Sequence, residues 1–336
     1  MTTDSVSFSG SAIEFSDIVA CPICKSHLLA NRCHPCKLEF SDTDFGIVSY
    51  ICREMYASES AFMHAWKVIE FWGNGWEKRL AEPEHAFAYE LDKADLRSHA
   101  DRLIARNRAE NSLMSRVKNL RRGSTIALNI GCGAGTESLL LVEAGACYCI
   151  GMDITAPAAQ AAELLIRKVG RGVGIQADAR FIPLLDSSVD VVYSSGVLHH
   201  SEDIAKSISE VFRVLKPGGT AYVMLYATWS IMFFQEKLLR LSGESAWETN
   251  GLTNPLTTTY TVAKCKRMFS AFHTVHVEKN GGRASHIAKI GKYLPRFLDK
   301  VLDRPFGPTL NIVATKGVDD RATLPSLGAQ LPPGTK

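Results

Sequence analysis

The stretch TIALNIGCGAGTES, Thr125–Ser138, decides the fold. Its first six residues are an apolar, partly β-branched run of strand length. Gly131, Gly133 and Gly135 follow at alternate positions, and a helical pattern begins after them. Glycine tolerates the sharp turn and lets the backbone approach a ligand closely. A bare Gly-x-Gly-x-Gly is weak evidence, but Asp153 strengthens it. That acid ends the next apolar run, CYCIGMD (Cys147–Asp153), ~20 residues downstream, the spacing at which a carboxylate can take both hydroxyls of a ribose.

Working outward, the alternation continues. PAAQAAELLIRKV is a helix with proline at its start. GVGIQAD (Gly172–Asp178) and VDVVYSS (Val189–Ser195) are strands. EDIAKSISEVFRVL has Ile204, Ile208, Val211, Phe212 and Leu215 at helical spacing. Lys216-Pro217-Gly218-Gly219 ends that helix and turns the chain into the strand GTAYVMLYA. HTVHVEK and PTLNIVATK supply a sixth and a seventh strand. Strand–helix alternation implies a doubly wound parallel α/β sheet, with ligands at the carboxyl ends of its strands.

Five ordered motifs now separate this chain from a nicotinamide enzyme. They are the glycine loop, Asp153, Ala177-Asp178-Ala179, the PLLDSSVDVVYSS stretch leading to Val197-Leu198-His199-His200, and RVLKPGG. Over residues 125 to about 316 the chain resembles class I S-adenosylmethionine (SAM) dependent methyltransferases of the type 11-like group. The resemblance implies a Rossmann-like seven-stranded methyltransferase sheet and SAM as cofactor. It implies that the 131–135 loop wraps the methionine part, Asp153 holds the ribose, Asp178 and Ala179 face the adenine, and Ser194 to Gly196 form the floor. The family usually has an acid where this chain has Asn129, near the methionine amine; an amide can accept a hydrogen bond there but brings no charge. Weaker SAM binding, not its loss, is the expectation.

Methyl transfer needs alignment and exclusion of water, and a base only when the acceptor arrives protonated. His199 and His200, after the fourth strand, are the candidate bases, neither preferred. The sequence there is Ser-Ser-Gly, not Asn-Pro-Pro-Tyr, and no Pro-Cys nucleophile appears, which sets aside the amino-group and cytosine-C5 nucleic-acid methyltransferases.

Ahead of this region lies CPICKSHLLANRCHPC, with Cys21, Cys24, Cys33 and Cys36 as two Cys-x-x-Cys pairs eight residues apart. They can be read as a disulfide staple, a redox pair or a metal knot. The first twenty residues lack a basic and apolar leader pattern, so a cytoplasmic setting is expected, where thiols stay reduced. A redox dithiol needs one pair, on a thioredoxin-like pattern absent here. Four thiolates suit tetrahedral structural zinc, with His34 beside the ligands. With Phe40 and Gly46-Ile47 the segment resembles the zinc-ribbon activator subunits of tRNA and protein methyltransferases, which implies a small N-terminal zinc ribbon docked on its neighbour. The remaining five of nine cysteines lie in apolar runs and read as buried hydrophobes.

The chain has 336 residues, is 46% hydrophobic and carries a net charge of +3, enough for a large core plus a small module and no general affinity for polyanions. The expected organisation is a flexible tail over 1–18, a zinc ribbon over 19–52, a helical linker or cap over 53–120 containing FWGNGW (Phe71–Trp76), the methyltransferase domain over 121–317 and a disordered tail over 318–336. No apolar run reaches the ~20 residues of a membrane helix. Tyr226, Trp229, Phe233 and Phe234 follow the fifth strand. The segment Arg283–Arg304 has six Lys/Arg against two Asp. It reads as a solvated amphipathic helix, an active-site lid or a peripheral membrane contact. The expected function is methyl transfer from SAM to a small-molecule, sugar or lipid-linked acceptor. The alternatives are an RNA methyltransferase, with the ribbon and the basic run Arg116–Arg122 on phosphates, and a non-enzymatic SAM-binding protein.

Overall fold

The computed structural model describes residues 14–82, 89–109, 112–117, 120, 123–230, 258–281, 302 and 305–318. Phe233, Phe234, most of Arg116–Arg122 and all of the basic segment Arg283–Arg304 except Leu302 lie outside the described residues.

Seven strands form one sheet. They are β3 (Ile126–Ile130), β4 (Tyr148–Asp153), β5 (Gly172–Gln176), β6 (Val189–Ser195), β7 (Leu215–Tyr226), β8 (Thr274–Asn280) and β9 (Thr309–Thr315), in the spatial order β5-β4-β3-β6-β7-β9-β8. The first five are parallel, but β9 runs antiparallel to both β7 and β8, so the sheet is mixed and not wholly parallel as the strand–helix alternation implied. β8 and β9, consecutive in the chain, pair directly, and an antiparallel pair needs no crossover connection. Every residue of β3 and β4 is buried, as expected of parallel strands covered on both faces. The Lys-Pro-Gly-Gly turn expected before β7 is drawn into that strand, and the β6–β7 register shifts between Val189 and Val191 to absorb it.

One face of the sheet is covered by α2 (Lys93–Ala109), α3 (Thr136–Glu143) and α4 (Ala156–Val169), through Leu96, Leu139, Leu140, Leu141, Leu165 and Ile166. The other is covered by α5 (Ile204–Val214), α6 (Val262–Met268) and the N-terminal module. The helices start where side chains satisfy free backbone N–H groups: Asp203 accepts from the Lys206 amide and Thr261 from the Lys264 amide. A long helix, α1 (Glu59–Leu80), begins at Ser58, whose hydroxyl accepts from the Ala61 amide, and crosses over the carboxyl ends of the strands.

The cysteine module has only a two-residue hairpin, β1 (Arg32–Cys33) with β2 (Leu38–Glu39). Its apolar side chains Leu28, Phe40 and Tyr50 join the main core instead of forming their own. Its backbone is stitched to the sheet region. The Ala20 amide donates to the Pro183 carbonyl (3.0 Å), the Tyr50 amide to the Gln176 carbonyl (2.8 Å) and the Gln176 amide to the Val48 carbonyl (3.0 Å). Residues 48–50 therefore cover the free edge of β5, which would otherwise expose unpaired backbone groups.

Candidate active site

Parallel order reverses between β3 and β6, and a cleft of about 640 Å³ opens there at the carboxyl ends of the strands. The glycine loop forms one wall. Gly131 and Gly133 have φ of +69° and +51°, and a Cβ at Gly131 would lie 2.1 Å from Val197 Cγ2. Glycine is required at both positions by backbone sign and by space. Gly135 directly precedes α3 and packs on Ala162 of α4.

Asp153, at the end of β4, is buried and lies behind the loop. Its Oδ2 accepts from the Gly133 amide (3.2 Å); its Oδ1 accepts from the Thr155 amide (3.0 Å) and hydroxyl (2.9 Å). Burial pushes its pKa above the usual carboxylate range, with those backbone donors opposing the shift. Asp178 and Ala179 border the far end of the cleft. Asp178 is held by Arg180: Oδ1 accepts from the Arg180 amide (2.8 Å), Oδ2 from Nη2 (2.7 Å), and Nε lies within reach of both. The Tyr56 hydroxyl adds a fourth donor at 3.3 Å. These contacts fill the roughly four lone-pair positions of a carboxylate. Arg180 also meets Glu202, which in turn meets His64 of α1 at 3.1 Å.

The two histidines separate. His200 borders the cleft beside Trp72, with ring centroids 5.4 Å apart. His199 is 1% exposed, stacks on Tyr226 at 3.9 Å, and neither ring nitrogen has a hydrogen-bond partner. Burial, then the neighbouring His200, holds its pKa well below the ordinary value. Asn129 and Ser194 also lie outside the lining. The Asn129 amide donates to the Ser138 hydroxyl (2.9 Å), and the Ser194 hydroxyl is buried without a partner; Ser195 and Gly196 border the cleft instead. The structure thus brings Gly131, Gly133, Asp153, Asp178, Ala179 and His200 together around one space, and leaves Gly135, Asn129, Ser194 and His199 behind it.

The sequence marked residues 53–120 as a helical linker or cap without naming the side chains that face the cleft. Ala65, Val68, Trp72, Trp76 and Arg79 of α1 border the cleft at the three- and four-residue spacing of one helix face. Trp76 lies against Gly133, and the Arg79 guanidinium sits 5.3 Å from its ring centroid. The FWGNGW run was the available signal; nothing in its period says what the face covers. Glu137 and Arg106 were also missed and border the same space.

Some distance away, the four ribbon sulfurs all lie within 4.8 Å of one another, with Cys24–Cys33 at 3.4 Å and Cys21–Cys36 at 3.9 Å. Four sulfurs at ~2.3 Å from one tetrahedral ion would be ~3.8 Å apart, so the donor set fits zinc. The Cys36 amide donates to Cys33 Sγ (3.4 Å). Lys25 and Lys37, each directly after a pair, have positive φ, which turns the backbone around the cluster. His34 is exposed. Lys25 reaches out of the cluster to Glu210 of α5 (2.7 Å), which is itself bonded to Arg213. No helix among the described residues is long and apolar enough to cross a membrane.

Comparison with known proteins agrees with this geometry. Residues 128–223 match the family model described as a methyltransferase domain. The malonyl-[acyl-carrier protein] O-methyltransferase of Methylococcus capsulatus is 34% identical over 116 residues, 32% of this chain and 40% of that protein. The chloroplastic tocopherol O-methyltransferase of Arabidopsis thaliana is 30% identical over 144 residues, 41% and 39%. The chain therefore spans well under two thirds of the length of these relatives. Among solved structures, magnesium protoporphyrin IX methyltransferase from Synechocystis PCC 6803 with bound S-adenosylhomocysteine has a TM-score of 0.41 at 17% identity, covering 66% of this chain and 83% of that one. The methyltransferase-domain match falls on β3 through β7, the strands that build the cleft.

Proposed function

We propose that the chain transfers a methyl group from SAM to a small-molecule acceptor, and that a structural zinc holds its N-terminal ribbon. One observation carries the reading: the Gly133 amide is clasped to the buried Asp153 carboxylate inside a cleft at the switch point of the sheet. The loop of Gly131 and Gly133 would hold the methionine half, Asp153 the ribose, and Asp178 with Ala179 the adenine, where binding displaces one of the Arg180 hydrogen bonds. SAM, when bound, supplies a methyl carbon activated by its sulfonium. The chain's own part is alignment and exclusion of water, for which the α1 aromatics form the cover. His200, the histidine that borders the cleft, is the candidate base for an acceptor that arrives protonated. His199 is a packing residue in this reading.

The acceptor class is supported by relatives named for malonyl-[acyl-carrier protein], tocopherol and 27-O-demethylrifamycin SV. In the ribbon, Cys21, Cys24, Cys33 and Cys36 are the zinc ligands, and the ion cross-links the two Cys-x-x-Cys turns of a module too small to hold itself. Methyl-labelled SAM in a lysate of the source cells, separated into RNA, protein, lipid and small-molecule fractions, tests the acceptor. Label in the small-molecule or lipid fraction is expected. Label in RNA would replace that acceptor class and make the ribbon a recognition module.

A further inference from the structure

We propose that Glu137 receives the α-ammonium of the methionine half of SAM; the inference rests on the SAM reading above. The cleft is bordered by four acids, Glu137, Asp153, Asp178 and Glu202. Three are already engaged. Asp153 accepts from Gly133 and Thr155, Asp178 from Arg180 and Tyr56, and Glu202 pairs with Arg180 and His64. Among the described residues, Glu137 is the cleft acid whose carboxylate has no hydrogen bond or ion pair with another side chain. It is nonetheless partly buried, with its own backbone amide and the charge of Arg106, not in direct contact, as its stabilising neighbours, an arrangement that favours a cation brought into contact with it.

Its position suits that cation. Glu137 is in the first turn of α3, two residues beyond Gly135, so its side chain emerges beside the glycine loop. Its charge is felt by Tyr193, the β6 residue that pairs with Asn129. Asn129 itself is neutral, turned to Ser138 and off the lining. Glu137 therefore supplies, from the helix, the negative charge that β3 lacks. The amino-acid head of SAM also carries a carboxylate, and Arg79 and Arg106 border the same cleft. One acid and two guanidinium groups around one space match a zwitterion.

An acid in the first turn of a helix also complements the helix dipole, and that role alone would alter stability without distinguishing ligands. The test therefore compares ligands. The full chain and Glu137→Gln are titrated calorimetrically with S-adenosylhomocysteine, which keeps the amino-acid head, and with 5′-methylthioadenosine, which lacks it. The variant is expected to bind S-adenosylhomocysteine about tenfold to hundredfold more weakly, the range of one charge-assisted hydrogen bond. Methylthioadenosine should bind both proteins alike, which also shows that the variant is folded. The deamino analogue of S-adenosylhomocysteine should bind wild type as weakly as the variant binds the parent. Equal affinity of both proteins for S-adenosylhomocysteine overturns the proposal, as does an equal loss for both ligands. A wild type that binds neither ligand overturns the SAM reading itself.

Discussion

Replacing Gly133 by alanine tests where the aromatic roof sits. The residue has φ +51°, and a Cβ there would lie 2.6 Å from Trp76 Cη2 and 2.7 Å from Cζ2. Two costs follow. Holding alanine in the left-handed region costs about 1–2 kcal/mol. Displacing the indole adds about 1–3 kcal/mol, the usual range for an overpacked contact. Gly133→Ala should therefore lose about 2–5 kcal/mol, with the two parts separable. Trp76→Ala removes the clash and leaves the backbone strain. In a double-mutant cycle the combined variant should be less damaged than the sum of the single variants, by about 1–3 kcal/mol. Urea unfolding of the four proteins reads this directly. Additivity within about 0.5 kcal/mol would show that Trp76 does not lie on Gly133, and the cap over the cleft would have to be placed differently.

Three further outcomes follow from the site and the ribbon. Replacing Cys21 and Cys24 together by serine should abolish bound zinc, read by elemental analysis, and speed hydrogen exchange at Tyr50 and Gln176, whose amides hold residues 48–50 on β5; unchanged zinc and protection would refute a structural zinc ribbon. Burial raises the Asp153 pKa, and only the ionised carboxylate can accept from both ribose hydroxyls, so ligand affinity should fall as pH drops through that raised value; Asp153→Asn should bind about 10- to 100-fold more weakly and lose this pH dependence in titrations. His199→Phe removes two unpartnered ring nitrogens from the interior and should stabilise the fold by about 1–3 kcal/mol. Burial first, and then His200, holds the folded pKa of His199 far below the ordinary 6.5, so the unfolded chain takes up the proton more readily. The stability this provides is complete above about pH 6.5 and is lost as pH falls below it; the variant should lack that slope in denaturation curves.

The positions of the central strands along the chain were legible because each is a short apolar run bounded by turn residues. Val189–Ser195 occupies the residues its β-branched pattern marks. The Lys-Pro-Gly-Gly turn was read too locally, since pairing with β6 extends β7 back through it. Within the cleft, the glycine loop and Asp153 were legible from spacing, which fixes their place after consecutive strands. The division between His199 and His200 was not, because adjacent residues in a single helical turn point in different directions, and only the packing of Tyr226 shows which is buried. Asn129 was expected at the methionine end; a hydroxyl at Ser138, nine residues on, draws it away, and no local pattern encodes that bond. The docking of the ribbon on the β5 edge and of Trp76 on Gly133 joins segments more than fifty residues apart, a kind of contact that periodicity does not reveal.

The most direct test of the central claim is a calorimetric titration of the purified full chain with S-adenosylhomocysteine, run beside Asp153→Ala. The account predicts one ligand per wild-type chain and a loss of affinity of about 100-fold or more in the variant, as two hydroxyls lose their acceptor. No binding to wild type, or equal binding by both proteins, would contradict it.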